Sequence, residues 1–135
     1  MIFIDTGAFI ARYAARDQHH QRARRLWGEL PSLGIRLLTS NFVLDETFTL
    51  LARHTTYSFA AERARNILDS SVLEILRPQQ KEEREAVELF AKYADQKVSF
   101  TDCVSFVLMR SKKIKEAFSF DAHFERAGFR LWRGS

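Results

Sequence analysis

The sequence IFIDTGAFIARY at residues 2–13 decides the fold class, because two hydrophobic patterns meet in it at one aspartate. Residues 2–4 form a short apolar run that is typical of a buried strand and ends at Asp5. From residue 8 to residue 13 the apolar positions have helical spacing instead. The stretch therefore predicts a strand that leads directly into a helix, with Asp5 at the junction.

The same alternation continues along the chain. Strands are predicted at residues 35–39, 72–76, 117–120 and 129–132, and helices at residues 18–30, 41–54, 58–70 and 81–95, from about residue 101, and as one short turn at 123–124. Pro31 is expected to close the first of these helices, and Ser40 or Asn41 can cap the second. Short strands that alternate with amphipathic helices indicate an α/β fold, with a mostly parallel sheet covered on both faces.

Length and composition predict one ordinary domain over residues 1–135. The chain has 135 residues, a net charge of +4 and a single cysteine, Cys103. One cysteine excludes an internal disulfide and multi-cysteine zinc sites, and it fits a reducing compartment. No apolar run approaches the length of about 18 residues that spans a membrane, and no signal peptide precedes the first strand. We therefore expect a cytoplasmic protein without a membrane partner.

Four acidic residues lie near predicted strand ends or helix starts. Asp5 and Asp121 each follow a strand, where a helix-capping role and a ligand role are both open. Glu46 has Phe42, Val43 and Leu50 on its own side of a helix, so it would be a carboxylate in an apolar stripe, unless it lies at an exposed edge or pairs with an arginine.

The fourth acid, Asp102, follows Ser99 at the spacing of a capping box, so its alternative role is also structural. Thr101 beside it is a candidate supporting hydroxyl, and Asp95 is a candidate supporting acid. If the sheet brings the four acids together, they repel one another, and a bound Mg²⁺ or Mn²⁺ would neutralise them. Such an ion can bind a phosphate oxygen and lower the pKa of a bound water, which favours phosphodiester hydrolysis.

Other catalytic patterns are weaker. The histidines lack partners at zinc-finger spacing, so surface or packing roles are favoured for His19, His20, His54 and His123. The sequence has no phosphate loop and no nucleophile elbow, and Cys103 is expected to be a buried, inert thiol.

Four segments together resemble the PIN-domain ribonucleases, in particular the VapC-type toxins of toxin–antitoxin pairs. These segments are IFIDT at 2–6, LTSNFVLDET at 38–47, DQKVSFTDC at 95–103 and FSFDAHF at 118–124. The order and spacing of the four resemble the family, apart from Cys103, where the family commonly has a small residue.

The resemblance implies a PIN-like three-layer α/β/α sandwich and a metal-dependent endoribonuclease that cleaves single-stranded regions of structured RNA. It implies that Asp5 and Asp102 bind Mg²⁺ or Mn²⁺, that Glu46 and Asp121 are catalytic acids that can also ligate the ion, and that Thr6, Asp95 and Thr101 support them. It further implies a homodimer and a cognate antitoxin protein that blocks the site. A PIN-type nuclease of RNA processing without an antitoxin, and a non-catalytic protein-binding module, remain alternatives.

Basic residues are candidates for contacts with RNA phosphates, because an acidic cluster would otherwise repel RNA. Removing the four negative charges of the acids from a net +4 leaves +8 on the remaining residues. The candidates, each of which could equally be solvated, are Arg12, Arg16, Arg22, Arg25, Arg53, Lys112 and Lys113. Most of the 12 phenylalanines are expected in the core, with base stacking as a minor alternative.

Overall fold

A five-stranded sheet forms the centre of the protein, in a computed structural model that describes residues 1–134. Its strands are β1 (Ile2–Ile4), β2 (Leu37–Ser40), β3 (Leu73–Leu76), β4 (Glu116–Phe118) and β5 (Arg130–Leu131). They lie in the order β3-β2-β1-β4-β5, and every neighbouring pair is parallel. The predicted α/β class with a parallel sheet is confirmed. Ser135, the last residue of the predicted domain, lies outside the described residues.

Within residues 1–134, seven helices connect the strands. They are α1 (Thr6–Tyr13), α2 (His20–Leu33), α3 (Asn41–His54), α4 (Tyr57–Leu68), α5 (Gln80–Lys92), α6 (Phe100–Ser111) and α7 (His123–Arg126). A single 3-10 turn at Ala94–Gln96 separates α5 from α6. Ser40 caps α3 as predicted, since its hydroxyl accepts a hydrogen bond from the Val43 amide at 3.1 Å.

The prediction that Pro31 closes α2 was wrong. The helix continues through Pro31 to Leu33 and ends at Gly34, whose φ of 62° gives the left-handed conformation of a helix C-cap. Leu30 is buried and Leu33 packs against the core, so the additional turn places apolar surface where it is shielded from water. The packing of Leu33 and the cap at Gly34 favour continuation of the helix beyond Pro31, although proline lacks the backbone N–H that would donate a helical hydrogen bond.

The core forms around the central strand. All three residues of β1 are buried, and Phe9, Phe106 and Phe118 are among the largest fully buried side chains. Trp27 packs against this core, and its indole nitrogen donates a hydrogen bond to the Ala8 carbonyl at 3.0 Å. These contacts hold α1 against the sheet, next to the end of β1.

The chain places its later strands on the opposite side of β1 from its earlier ones. After β1 the connections lead outward to β2 and β3, whereas β4 and β5 lie on its other side. In parallel sheets such a switch point leaves a crevice beyond the carboxyl ends of the two central strands. Asp5 follows β1 at this crevice and Ser119 follows β4. Within residues 1–134, no helix combines the length and the apolar character that crossing a bilayer requires.

Candidate active site

The crevice at the switch point is a cleft of about 370 Å³ in which the four predicted acids converge. Asp5 follows β1, Glu46 lies in α3, Asp102 in the first turn of α6 and Asp121 between β4 and α7. The other lining residues are Thr6, Gly7, Leu50, Lys97, Ser99, Phe120 and His123. Residues that are far apart in the sequence thus share one polar cleft.

Asp5 does not cap α1, although it occupies the N-cap position. Its carboxylate makes no capping hydrogen bond, and Ser119 Oγ instead donates to Asp5 Oδ2 at 2.7 Å. The same hydroxyl accepts a hydrogen bond from the Asp121 amide at 3.0 Å. Ser119 therefore connects the carboxylate of Asp5 after β1 with the backbone of Asp121 after β4, and the Asp5 carboxylate makes no capping hydrogen bond. The ligand role of Asp5 stays a prediction.

Replacing Ser119 by alanine is expected to lower the RNA cleavage that the resemblance implies by about tenfold, because a hydroxyl that hydrogen-bonds to a ligand carboxylate orients it. The Ser119 hydrogen bond lowers the pKa of Asp5, so its loss keeps Asp5 protonated to higher pH. The acidic limb of the pH–rate profile should therefore move upward. Ser105→Ala is the matched control, since its buried hydroxyl donates to the Thr101 carbonyl at 3.0 Å in α6. An unchanged profile in Ser119→Ala would contradict the assigned role.

Asp102 is presented by the first turn of α6. Ser99 caps this helix, and its hydroxyl accepts a hydrogen bond from the Asp102 amide at 3.1 Å. The cap therefore uses the backbone of Asp102 and leaves its carboxylate pointing into the cleft, where only 7% of the residue is exposed. The predicted capping spacing and the predicted ligand position are compatible with each other.

Burial and mutual repulsion raise the pKa values of two acids. Burial raises the pKa of Asp5 to about 6, and the charges of Asp121 and Glu46 add to this effect, whereas the hydrogen bond from Ser119 opposes it. Burial raises the pKa of Asp102 to about 8, with further contributions from the charges of Asp5 and Asp121. Carboxylates destabilised in this way are characteristic of functional sites and favour a bound cation.

His123 enters the cluster from α7. Its Nδ1 lies 3.1 Å from Asp121 Oδ1 and 3.6 Å from Asp102 Oδ2. This nitrogen is buried and has no hydrogen-bond partner among the described residues. One ligand atom each from Asp102, Asp121 and His123 lies within 4.8 Å of the others, close enough to share a metal ion. The expectation of a surface or packing role for His123 therefore misses its position in the cleft.

Glu46 projects from the middle of α3 into the same cleft. It is partly buried, as are its neighbours Phe42 and Leu50, whereas Asp45 beside it is exposed. The α-helical period places adjacent residues about 100° apart, which accounts for this difference. The structure thus agrees with the predicted orientation of Glu46 toward an apolar stripe.

Comparison with known proteins identifies the family. The sequence model of the PIN domain matches residues 2–130. The chain belongs to the PIN-domain family. A 23S rRNA-specific endonuclease, VapC20 of Mycobacterium tuberculosis, is 39% identical over 129 residues, which cover 96% of this chain and 95% of the relative. A VapC ribonuclease of Archaeoglobus fulgidus is 32% identical over 130 residues, covering 90% of this chain and 77% of the relative.

A solved structure confirms the predicted PIN-like three-layer sandwich. The crystal structure of M. tuberculosis VapC20, described as a sarcin–ricin loop cleaving toxin, matches this PIN domain with a TM-score of 0.87. The match has 37% identity and covers 96% of each chain. The predicted resemblance to VapC-type PIN domains is thereby confirmed.

The three predicted supporting residues lie in different places. Thr6 lines the cleft, and its buried hydroxyl has no hydrogen-bond partner among residues 1–134. Thr101 is partly buried but does not line the cleft, and its carbonyl accepts the hydrogen bond from Ser105. Asp95 is exposed in the 3-10 turn and is also absent from the cleft lining. The proximity to the cleft therefore favours Thr6 as a supporting residue.

Sequence reasoning missed three residues of this PIN-domain cleft as functional candidates: Lys97, Ser119 and His123. Lys97 precedes α6 with a φ of 56°, in the left-handed region that non-glycine residues seldom adopt. Ser119 and His123 flank Asp121 at two residues on either side. Polar residues two positions before and two positions after an acid that follows a strand were the sequence signal that could have indicated Ser119 and His123.

The predicted basic residues are distributed around the PIN domain, and only one has a described contact with the cleft wall. The Arg22 guanidinium lies 5.8 Å from the ring centroid of Phe120, which lines the cleft. Arg12 packs on Trp27 at 4.4 Å in a separate cavity, and Lys112 and Lys113 line two further cavities. The remaining three are exposed: Arg16, Arg25 and Arg53.

Proposed function

We propose that this PIN domain is a metal-dependent endoribonuclease that acts as the toxin of a toxin–antitoxin pair and cleaves single-stranded regions of structured RNA. The convergence of four acids and His123 at the switch point is the observation that carries the proposal. A purely protein-binding module would gain nothing from buried carboxylates that repel one another. A hydrolase that acts on phosphodiesters can use such carboxylates to bind a divalent cation.

The residues of the cleft fit a divalent cation. Its donors are mainly carboxylate oxygens, which suit Mg²⁺ and Mn²⁺. Thr6 Oγ1 and His123 Nδ1 are buried polar atoms that form no hydrogen bond within residues 1–134. Asp5 and Asp102 are the proposed principal ligands, with Glu46 and Asp121 within the same cleft. When bound, such an ion supplies Lewis-acid stabilisation of the charge that develops on phosphate oxygens during hydrolysis.

The protein's own residues prepare the cleft for that ion. Asp102, with a pKa of about 8, holds a proton at neutral pH that cation binding displaces, so metal binding should release protons. Ser119 orients Asp5 through the hydrogen bond to Oδ2. Lys97 at the cleft wall adds a positive charge that attracts the RNA backbone. Hydrolysis then adds water to phosphorus and breaks one P–O bond of the backbone.

The names of the relatives support RNA as the substrate. One relative is named for 23S rRNA, and its solved structure is described as a toxin that cleaves the sarcin–ricin loop. Because the identity of 39% extends over nearly the whole of both chains, we propose the same loop as the first substrate to test. An antitoxin that covers the cleft, a homodimer and a cytoplasmic location complete the proposal.

Mapping of new RNA 5′ ends after brief expression tests the function. We expect one dominant new end in the sarcin–ricin loop of 23S rRNA, together with growth arrest, and neither effect in cells that express Asp5→Asn. Coexpression of the protein encoded by an adjacent short reading frame should restore growth. New ends that appear equally with Asp5→Asn would falsify the nuclease assignment. Cleavage without growth rescue by any neighbouring protein would favour RNA processing over a toxin.

A further inference from the structure

Three side chains form an aromatic and cationic cluster at the rim of the acidic cleft. The imidazole of His19 stacks on Phe120 with a centroid distance of 4.3 Å and an interplanar angle of 5°. The Arg22 guanidinium lies 5.8 Å from the centroid of the same phenyl ring. Phe120 directly precedes Asp121 and lines the cleft with it. The cluster thus extends outward from the proposed catalytic acids.

The backbone that carries the His19 ring is fixed by two hydrogen bonds. Its amide donates a hydrogen bond to Asp17 Oδ1 at 2.8 Å, and its carbonyl accepts one from the Ala23 amide at 2.8 Å. Phe120 is fixed from behind by an edge contact with Phe118, whose centroid is 6.0 Å away. Binding to a surface that is already ordered costs less conformational entropy than binding to mobile side chains.

His19 is only half-buried, and the cation beside it is exposed. Within the described part of the chain, Phe120 is the only ring that contacts His19, and the imidazole is half-buried. Arg22 is exposed and forms no ion pair with any of residues 1–134. A flat ring beside an unpaired guanidinium matches the two parts of a nucleotide, because bases stack on rings and phosphates bind cations.

We propose that His19, Phe120 and Arg22 form a nucleotide subsite, in which an unpaired RNA base stacks on the His19 imidazole and Arg22 contacts the adjoining phosphate. The inference rests on the proposed ribonuclease function and deepens it. The four acids disfavour bare phosphate in the cleft, so a neighbouring subsite that binds a base positions the backbone there. Base-paired RNA cannot use this subsite because its bases are stacked within the helix, which explains a preference for single-stranded regions.

Binding of two RNA probes tests the subsite. In an Asp5→Asn background that prevents cleavage, fluorescence anisotropy compares labelled oligo(A) with an abasic ribose-phosphate chain of the same length. We expect oligo(A) to bind about tenfold more tightly, within the range known for base–aromatic stacking. His19→Ala should reduce this preference to within about twofold. Arg22→Gln should weaken both probes and lower the slope of log affinity against log salt by about one.

His54→Ala and Arg24→Gln are the matched controls, since both residues are exposed and neither lines the cleft. Both should leave the affinities for the two probes unchanged. A preference for oligo(A) that persists in folded His19→Ala, or equal binding of the two probes by the background protein, overturns the subsite. Cleavage of a sarcin–ricin hairpin by the unsubstituted protein is measured separately. If that cleavage persists while the preference is absent, only the subsite fails, whereas absence of cleavage of any RNA removes the proposed function.

Discussion

Replacement of Asp5 by asparagine is expected to lower RNA cleavage by about 10³-fold and, at the same time, to raise the stability of the metal-free protein. Activity should fall because the substitution removes a proposed charged metal ligand from the cleft, while the remaining amide oxygen can still accept the Ser119 hydrogen bond. Stability rises because the buried carboxylate, with a pKa of about 6, is charged at pH 8 only at a cost in free energy. Because activity should fall while stability rises, the loss of activity can be distinguished from a loss of folding.

Single-turnover cleavage of a sarcin–ricin hairpin measures the first effect, and thermal unfolding in chelator at pH 8 measures the second. We expect a gain of about 1 kcal/mol or more, which corresponds to an increase of about 4 °C in melting temperature per kcal/mol for a domain of this size. Asp45→Asn is the control, because Asp45 is exposed beside Glu46 and lies outside the cleft. An inactive Asp5→Asn that unfolds at a lower temperature would instead indicate that Asp5 is a structural residue.

The metal-free protein is also expected to lose stability as the pH rises from about 4 to about 8. Asp102 has a pKa of about 8 in the folded protein against an ordinary value of 3.8. Between these values the folded state keeps a proton that the unfolded chain has released, so each increase in pH favours the unfolded state. Below the ordinary value both states are protonated and the effect vanishes. At about 1.4 kcal/mol per pKa unit, the change from 3.8 to about 8 corresponds to a loss of at most about 6 kcal/mol over the whole window.

Divalent metal should reverse this dependence. A cation binds the deprotonated carboxylates of the folded state, so the stabilisation by Mg²⁺ or Mn²⁺ should be small at pH 5 and large at pH 8. Asp102→Asn should remove the pH dependence of the metal-free protein above about pH 6, while the contribution of Asp5 below that pH remains. It should also remove most of the metal-induced rise in melting temperature. Urea unfolding across this pH range, with chelator and with each metal, provides the measurement. Equal stabilisation by metal at both pH values would place the binding site away from Asp102.

The sequence predicted those parts of the cleft that depend on strand ends. The apolar run before Asp5 and the helical spacing after it require a strand that ends at Asp5, and parallel packing then places Asp5 beside Asp121. Glu46 was predictable for a related reason, since a carboxylate in an apolar helix stripe must face either a partner or an ion. These residues follow from periodicity, which is encoded locally.

Features that depend on tertiary contacts were not predictable in the same way. Helix α2 passes Pro31 because Leu33 reaches the core, and local propensity does not include that contact. The hydrogen bond between Ser119 and Asp5 joins residues 114 positions apart, so no local pattern indicates it. The turn that carries Lys97 into the cleft wall requires a left-handed backbone at a lysine, which sequence rules disfavour.

The position of β1 in the middle of the sheet has a consequence for synthesis of the protein. Its hydrogen-bonded neighbour β4 begins at Glu116, so a nascent chain that lacks β4 has only one wall of the crevice. Asp121, Ser119 and His123 also emerge from the ribosome after most of the chain. A growing chain of this architecture therefore lacks the complete acidic cleft until translation is nearly finished, and a chain terminated before Asp121 lacks one of its four acids.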